Sequence, residues 1–89
     1  MNTTHVTIQT KNDALIGILK NQHIIMHFNG EDKWIIVVPV CVETRLIDLI
    51  VNTACDTRAD AVIYSYYQDG SGLDVRMHTM TFKNGVCVN

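Results

Sequence analysis

The stretch ETRLIDLIVNTACD, residues 43–56, decides the fold class because it is the clearest amphipathic helix in the chain. Its apolar residues recur at the spacing of one helical face. They are Leu46, Ile47, Ile50, Val51 and Ala54. Glu43 lies in the first turn, where a negative charge complements the helix dipole. Residues 43–56 are therefore predicted to form one main helix that packs on the rest of the chain through this face.

Strands are predicted on both sides of this helix. The segments concerned alternate apolar and polar residues or are rich in β-branched and aromatic ones. They are residues 5–10, 23–28, 34–38, 61–67, 73–82 and 86–88. Asn29 to Asp32 and Asn84-Gly85 are typical tight hairpin turns, and residues 68–72 are predicted to form an exposed loop. The expected architecture is α+β, a mostly antiparallel sheet of five or six strands with the main helix packed on it.

Residues 14–20 fit two structures. Asp13 could cap a short helix with Ala14, Leu15, Ile18 and Leu19 on one face, or the segment could be a strand, and Gly17 weakens both interpretations. If the segment is helical, the element order resembles the βαββαβ order of a ferredoxin-like domain with an added C-terminal hairpin. That resemblance rests on element order alone and implies no function.

Length and charge limit the classes of protein to which this chain can belong. Eighty-nine residues, 47% of them apolar, predict a single globular domain spanning residues 1–89. The net charge is −2, and residues 30–60 hold six acidic and three basic residues. Nucleic-acid binding needs clustered lysines and arginines. The seven basic residues are spread along the sequence, so no nucleic-acid partner is predicted, and the acidic middle third would suit a basic protein surface.

The cysteines and the N-terminus bear on location. Cys41, Cys55 and Cys87 are odd in number and widely spaced, which is untypical of a secreted disulfide framework. They are predicted to be packed thiols in a reducing, cytoplasmic environment. The N-terminal residues do not resemble a signal peptide. The longest apolar run, nine residues from Trp34 to Val42, is far shorter than the roughly 20 needed to cross a membrane.

No metal or cofactor site is predicted. His23 and His27 are four residues apart, a metal-binding spacing on a helix. On the predicted strand they would lie roughly 13 Å apart and are expected to be half-exposed. The three cysteines lack the paired spacing of a zinc site.

No catalytic residue is predicted either. Cys41 near the start of the main helix could act as a nucleophile with His5 or His78, but no third group is available to orient the pair. The two serines, Ser65 and Ser71, lack the strand-to-helix elbow that exposes a nucleophile. The chain is therefore expected not to be an enzyme.

Two features indicate an interaction surface. Residues 34–42 are apolar on both strand faces and so require cover on both, whereas the helix at 43–56 shields one face. In Tyr64-Ser65-Tyr66-Tyr67, Tyr64 and Tyr66 point to one face and Tyr67 to the other. Tyrosine and tryptophan are enriched at protein interfaces. Trp34, Tyr64, Tyr66 and Tyr67 are therefore the candidate interface residues, and a half-buried tyrosine face without a partner is the alternative.

The sequence thus predicts a small, non-enzymatic protein-binding domain that forms a homodimer. It would act as an inhibitor or adaptor by occupying the surface of a partner protein. A phage- or mobile-element-encoded antagonist of a host enzyme is one protein of this kind. The alternative is a regulatory domain that binds a small molecule between the sheet and Trp34 or the tyrosines.

Overall fold

The predicted sheet and helices are present in the computed structural model, which describes residues 3–68 and 75–88. The strands in these ranges are β1 (Thr3–Thr10), β2 (His27–Phe28), β3 (Lys33–Pro39), β4 (Ala61–Gln68), β5 (Val75–Lys83) and β6 (Val86–Cys87). They are connected by the helices α1 (Asp13–Asn21) and α2 (Glu43–Asp56) and by a 3-10 turn, Val40–Val42. The α+β class is confirmed.

The described strands form one sheet in the order β2-β3-β1-β4-β5-β6, and every neighbouring pair is antiparallel. The first four strands and two helices follow the βαββαβ order, and β5 and β6 extend the sheet beyond β4. Residues 69–74 of the predicted loop and strand lie outside the described residues. The described sheet has six strands, within the five or six predicted, and the predicted C-terminal hairpin is also confirmed.

Residues 14–20 belong to a helix, which settles the alternative left open by the sequence. The cap is Asn12 rather than Asp13, because the Asn12 side chain accepts a hydrogen bond of 2.9 Å from the Leu15 amide. Asp13 instead lies in the first turn, where its charge complements the helix dipole. Leu15, Ile16 and Leu19 are buried. Burial of this face therefore outweighs the unfavourable effect of Gly17.

Both helices contribute to one core on one face of the sheet. The even-numbered residues of β1 are buried, whereas the odd-numbered ones are exposed or half-buried. The buried set of strand residues joins apolar residues of α1 and α2 in a single cluster. Its members are Val6, Ile8, Leu15, Leu19, Ile36, Leu46, Ile50, Ala54, Ala59, Ala61, Ile63 and Phe82. Neither of the two described helices is long and apolar enough to cross a membrane.

The strand predicted at residues 23–28 is mostly wrong. Only His27 and Phe28 pair with β3. His23 has φ +61 and its amide donates to the carbonyl of Lys20, so it ends the turn after α1. The alternation nevertheless corresponds to burial, since Ile24 and Met26 pack on the core while Ile25 is 76% exposed. Residues 24–26 connect α1 to the sheet edge but form no backbone hydrogen bonds to a neighbouring strand. The period-2 pattern of a sequence does not show whether a neighbouring strand is present.

Both predicted hairpin turns are confirmed. Gly30 and Asp32 have positive φ in the β2–β3 turn, and the Asn29 amide donates to the Lys33 carbonyl at 2.9 Å. Asn84 and Gly85 both have positive φ, as the tight turn between β5 and β6 requires. The predicted bounds of α2, residues 43–56, are also confirmed.

Gly17 offers a position where the fold can be stabilised. A Cβ added there would meet no atom within 4 Å. Alanine in a helix interior is favoured over glycine by about 0.5–1 kcal/mol. We therefore expect Gly17→Ala to raise the free energy of unfolding by about that amount, measured by urea denaturation. An unchanged or lowered value would show that α1 needs the glycine for a reason other than packing.

Candidate functional site

The sheet face away from the helices, the open face, consists of residues that alternate with the core positions. Strand pairing places His5 opposite Val37 and Tyr66, and Thr7 opposite Ile35 and Tyr64. By the same register, the open face includes Thr3, His5, Thr7, Gln9, His27, Lys33, Ile35, Val37, Pro39, Val62, Tyr64, Tyr66, Thr79, Thr81, Lys83 and Val86. It crosses all six described strands.

The centre of the open face combines apolar and aromatic side chains of β3 and β4 with Thr7 and His5 of β1 between them. Ile35 is half-buried and Val37 is 48% exposed on β3, while Tyr64 and Tyr66 are half-buried on β4. The rings of His5 and Tyr66 meet edge to face, with centroids 6.0 Å apart. A sheet face in water normally carries polar residues. Because α1 packs on the same side as α2, neither described helix covers Ile35 or Val37.

Charge is confined to the periphery of the open face. None of its described residues is an aspartate or glutamate. Lys33 lies at one end and pairs with Glu31 of the adjoining turn, with Nζ 3.3 Å from the carboxylate. The centre therefore presents β-branched side chains, threonine hydroxyls and tyrosine rings. This combination of apolar area with hydrogen-bonding tips is typical of protein interfaces.

Trp34 does not lie on the same surface as the tyrosines. It pairs with Ile8 and so faces the helix side of the sheet. Lys20 Nζ lies 4.5 Å from its ring centroid, and the Phe28 ring is 4.7 Å away. Trp34 is half-buried between α1 and the sheet edge. A ligand held between the sheet and Trp34 would therefore lie on the opposite side of the sheet from one held by Tyr64 and Tyr66.

The structure brings together two of the four candidate interface residues. Tyr64 and Tyr66 point to the open face, as their spacing predicts. Tyr67 pairs with Thr4 through the backbone, but its side chain lies outside the described part of the structure. The interface itself remains a prediction.

The histidines do not share a site. His23 ends the turn after α1 and His27 lies in the edge strand β2, and both are exposed. Within residues 3–68 and 75–88, no group of three or more histidine, cysteine, aspartate or glutamate side chains is arranged to hold a metal ion.

The prediction of packed cysteines is wrong. Cys41, Cys55 and Cys87 are all exposed thiols. Cys41 lies in the 3-10 turn, Cys55 on the solvent side of the last turn of α2, and Cys87 in the edge strand β6. Residue type favours burial of cysteine, but none of these three positions is covered: Cys87 pairs with the buried Phe82 on the helix side of the sheet, yet it is exposed in the edge strand. Their exposure depends on how α2 and β6 dock.

The apolar run at residues 34–42 included Ile35 and Val37 without naming them as interface residues, and His5 and Thr7 were not predicted to belong to an interface. Their signal was present in the alternation of β1 and in the double-sided apolar character of β3. Neither pattern reveals which side of a strand the helices will cover.

The comparison with family models, curated proteins and solved structures finds no match.

Proposed function

We propose that this chain is a non-enzymatic protein-binding domain that associates through its open face, and that the occupant of this face is a second copy of the chain. One observation carries the proposal. Ile35 and Val37 on β3 and Tyr64 and Tyr66 on β4 flank Thr7 and His5 of β1 at the centre of a sheet face that no described helix covers.

The charge distribution supports a second copy as the occupant. In a twofold dimer each patch meets itself, so a central charge would face a like charge. The described open face has no acidic residue, and Lys33 and Lys83 lie toward one end of their strands. Two copies can therefore pack their sheets without placing like charges at the centre of the interface.

The size of the face also supports dimerisation. Four strands of about seven residues, at roughly 3.3 Å per residue and about 4.8 Å between strands, give on the order of 450 Å² of flat sheet. Side-chain relief increases the accessible area beyond this value. A standard specific interface buries about 800 Å² per partner. The open face is of the right order for one sheet-on-sheet contact.

The wider role follows from what such a dimer would expose. With the sheets in contact, the helices face outward, and Asp48 and Asp56 of α2 are exposed there. A basic protein surface would complement them. An inhibitor or adaptor, including a phage- or mobile-element-encoded antagonist of a host enzyme, is the proposed function of this dimer.

The oligomeric state tests the proposal directly. Sedimentation equilibrium at roughly 50 µM, where a micromolar dimer is mostly assembled, is expected to give twice the chain mass of 10.0 kDa. Hydrogen exchange at the same concentration should be slower in β1, β3 and β4 than in a diluted sample. A strictly monomeric particle would contradict the proposal.

A further inference from the structure

A groove of about 750 Å³ opens at the end of the sheet where β1 and β5 finish and β4 begins. Four connections meet there. They are the β1–α1, β2–β3, α2–β4 and β5–β6 connections, which contribute Lys11, Asp32, Arg58 and Asn84 to the lining. Ligand pockets for small molecules occupy roughly 300–1,000 Å³. The groove is thus large enough for a metabolite.

Three cationic side chains line this groove although they are far apart in the sequence. Lys11, Arg58 and Lys83 are three of the seven basic residues of a chain whose net charge is −2. None of the three forms an ion pair with another described residue. The fold therefore brings three cationic residues of an acidic protein to one groove, where they outnumber its two acidic residues, and their dispersed sequence positions do not suggest this.

The lining also contains two acids with different surroundings. Asp60 is held by the backbone, since its Oδ1 accepts a 2.7 Å hydrogen bond from the Asn84 amide. Asp32 is half-buried in the β2–β3 turn. Carboxylates accept hydrogen bonds but donate none, so these two groups suit hydroxyl donors. Ala61, Val62 and Phe82 supply the apolar part of the lining.

Hydrogen bonds join the connections around the groove. The Thr10 hydroxyl donates to the Asp60 carbonyl at 2.8 Å, and the Thr10 amide donates to the Asp32 carbonyl at 2.9 Å. The Gly85 amide donates to the Ala59 carbonyl at 3.0 Å. These bonds fix the positions from which the lining side chains project. A site held in place before binding loses less conformational entropy when a ligand enters.

Arg58 occupies a backbone position that normally suits glycine. The Ala59 amide donates to the Ala54 carbonyl at 3.0 Å, and the Arg58 amide donates to the Cys55 carbonyl at 3.2 Å. This is the pairing by which helices commonly end on a left-handed glycine or asparagine. Arg58 adopts that conformation with φ +52. Arginine is not favoured in this conformation, so a role for its side chain in the groove would account for its presence there.

We propose that this groove binds a small phosphorylated molecule that also carries hydroxyl groups, such as a sugar phosphate. Lys11, Arg58 and Lys83 would contact the phosphate, because lysine and arginine make strong charge-assisted hydrogen bonds to its oxygens. Asp32 and Asp60 would accept hydrogen bonds from the hydroxyl groups. The proposal does not rest on dimerisation, although the groove and the open face share four residues, Gln9, Val62, Thr81 and Lys83.

Isothermal titration with ribose 5-phosphate tests the proposal, with ribose and inorganic phosphate as separate arms. We expect saturable binding of ribose 5-phosphate, weaker binding of inorganic phosphate and none of ribose. Lys11→Gln, Arg58→Asn and Lys83→Gln should each weaken binding at least about tenfold, since each removes a charged contact. Arg45→Gln is the matched control, because Arg45 is exposed on α2 and does not line the groove.

The choice of Arg58→Asn separates binding from folding. Asparagine tolerates positive φ, so this variant is expected to unfold at the same or a higher urea concentration while losing ligand. Two outcomes would overturn the proposal. The first is that ribose 5-phosphate shows no saturable binding up to about 10 mM, a concentration at which a site with a dissociation constant of about 1 mM would be mostly filled. The second is that Arg45→Gln loses as much affinity as the three groove variants. The titration is repeated on an open-face variant that is monomeric. If this variant still binds ribose 5-phosphate, ligand binding does not depend on the proposed dimer, so the two proposals are tested separately.

Discussion

Val37→Glu is expected to dissociate the dimer while leaving the monomer folded. In a twofold sheet-on-sheet contact, each copy would place one carboxylate in the apolar centre of the interface. Burying an unpaired charge costs several kcal/mol. We expect the dissociation constant to rise at least about 100-fold, or about 3 kcal/mol, as measured by sedimentation equilibrium. Val37 is 48% exposed in the single chain, so the fold should tolerate the substitution.

Ile18→Glu is the matched control for this variant. Ile18 lies on α1, on the helix side of the molecule, and is 39% exposed. The same change of chemistry there should leave the dissociation constant within about twofold, since it lies outside the proposed contact. Tyr64→Ala combined with Tyr66→Ala should weaken the dimer through lost apolar area instead of added charge. If the Val37→Glu dissociation constant equals that of the unmodified protein, the open face is not the interface.

Gly85→Ala is expected to cause the largest loss of stability among substitutions of the three glycines that the structure describes, Gly17, Gly30 and Gly85. A Cβ at this position would lie 2.9 Å from Arg58 Cα and 2.9 Å from the Cys55 carbonyl oxygen. Both atoms belong to the backbone at the end of α2, which cannot move without disrupting the Ala59–Ala54 hydrogen bond. Gly85 also has φ +78, a backbone conformation that is strained for alanine. We expect the free energy of unfolding to fall by about 3 kcal/mol.

Gly30→Ala isolates the backbone contribution to this effect. Gly30 has φ +86, but an added Cβ there meets no atom within 4 Å. The expected loss is therefore about 1 kcal/mol, from conformational strain alone. Urea denaturation of the two variants and the unmodified protein gives the comparison. Equal losses would mean that the turn between β5 and β6 can shift away from α2, and that the close approach has no energetic consequence.

Local patterns predicted most of the secondary structure. The apolar face of residues 43–56 placed both ends of α2 correctly, and Asn84-Gly85 identified the last hairpin. These signals succeed because they depend on atoms a few residues apart: side chains on one helical face, or a backbone that needs positive φ. They failed at residues 23–26, where the chain alternates in burial but no strand lies alongside to accept hydrogen bonds.

The candidate site was predicted less well. Alternation predicted that Tyr64 and Tyr66 share one face, and they do, but the sequence left open which sheet face Trp34 would share, and it lies on the helix side. The three cysteines were expected in the core and are exposed. The type of a residue indicates how often it is buried on average. Whether a given residue is buried depends on which side of its helix or strand is covered by other elements.

The sequence by itself determined α2, the two hairpin turns, most of the strands and the excess of apolar surface on β3, but not the helix at residues 14–20. The tertiary structure alone decided that both helices pack on one side, leaving Ile35, Val37, Tyr64 and Tyr66 uncovered. It also decided that Lys11, Arg58 and Lys83 meet at one end of the sheet. The physical reason is the sequence distance over which each interaction acts. Steric and hydrogen-bonding rules within an element act over a few residues, whereas these juxtapositions follow from the pairing of β1 with β4, which lie far apart in the chain.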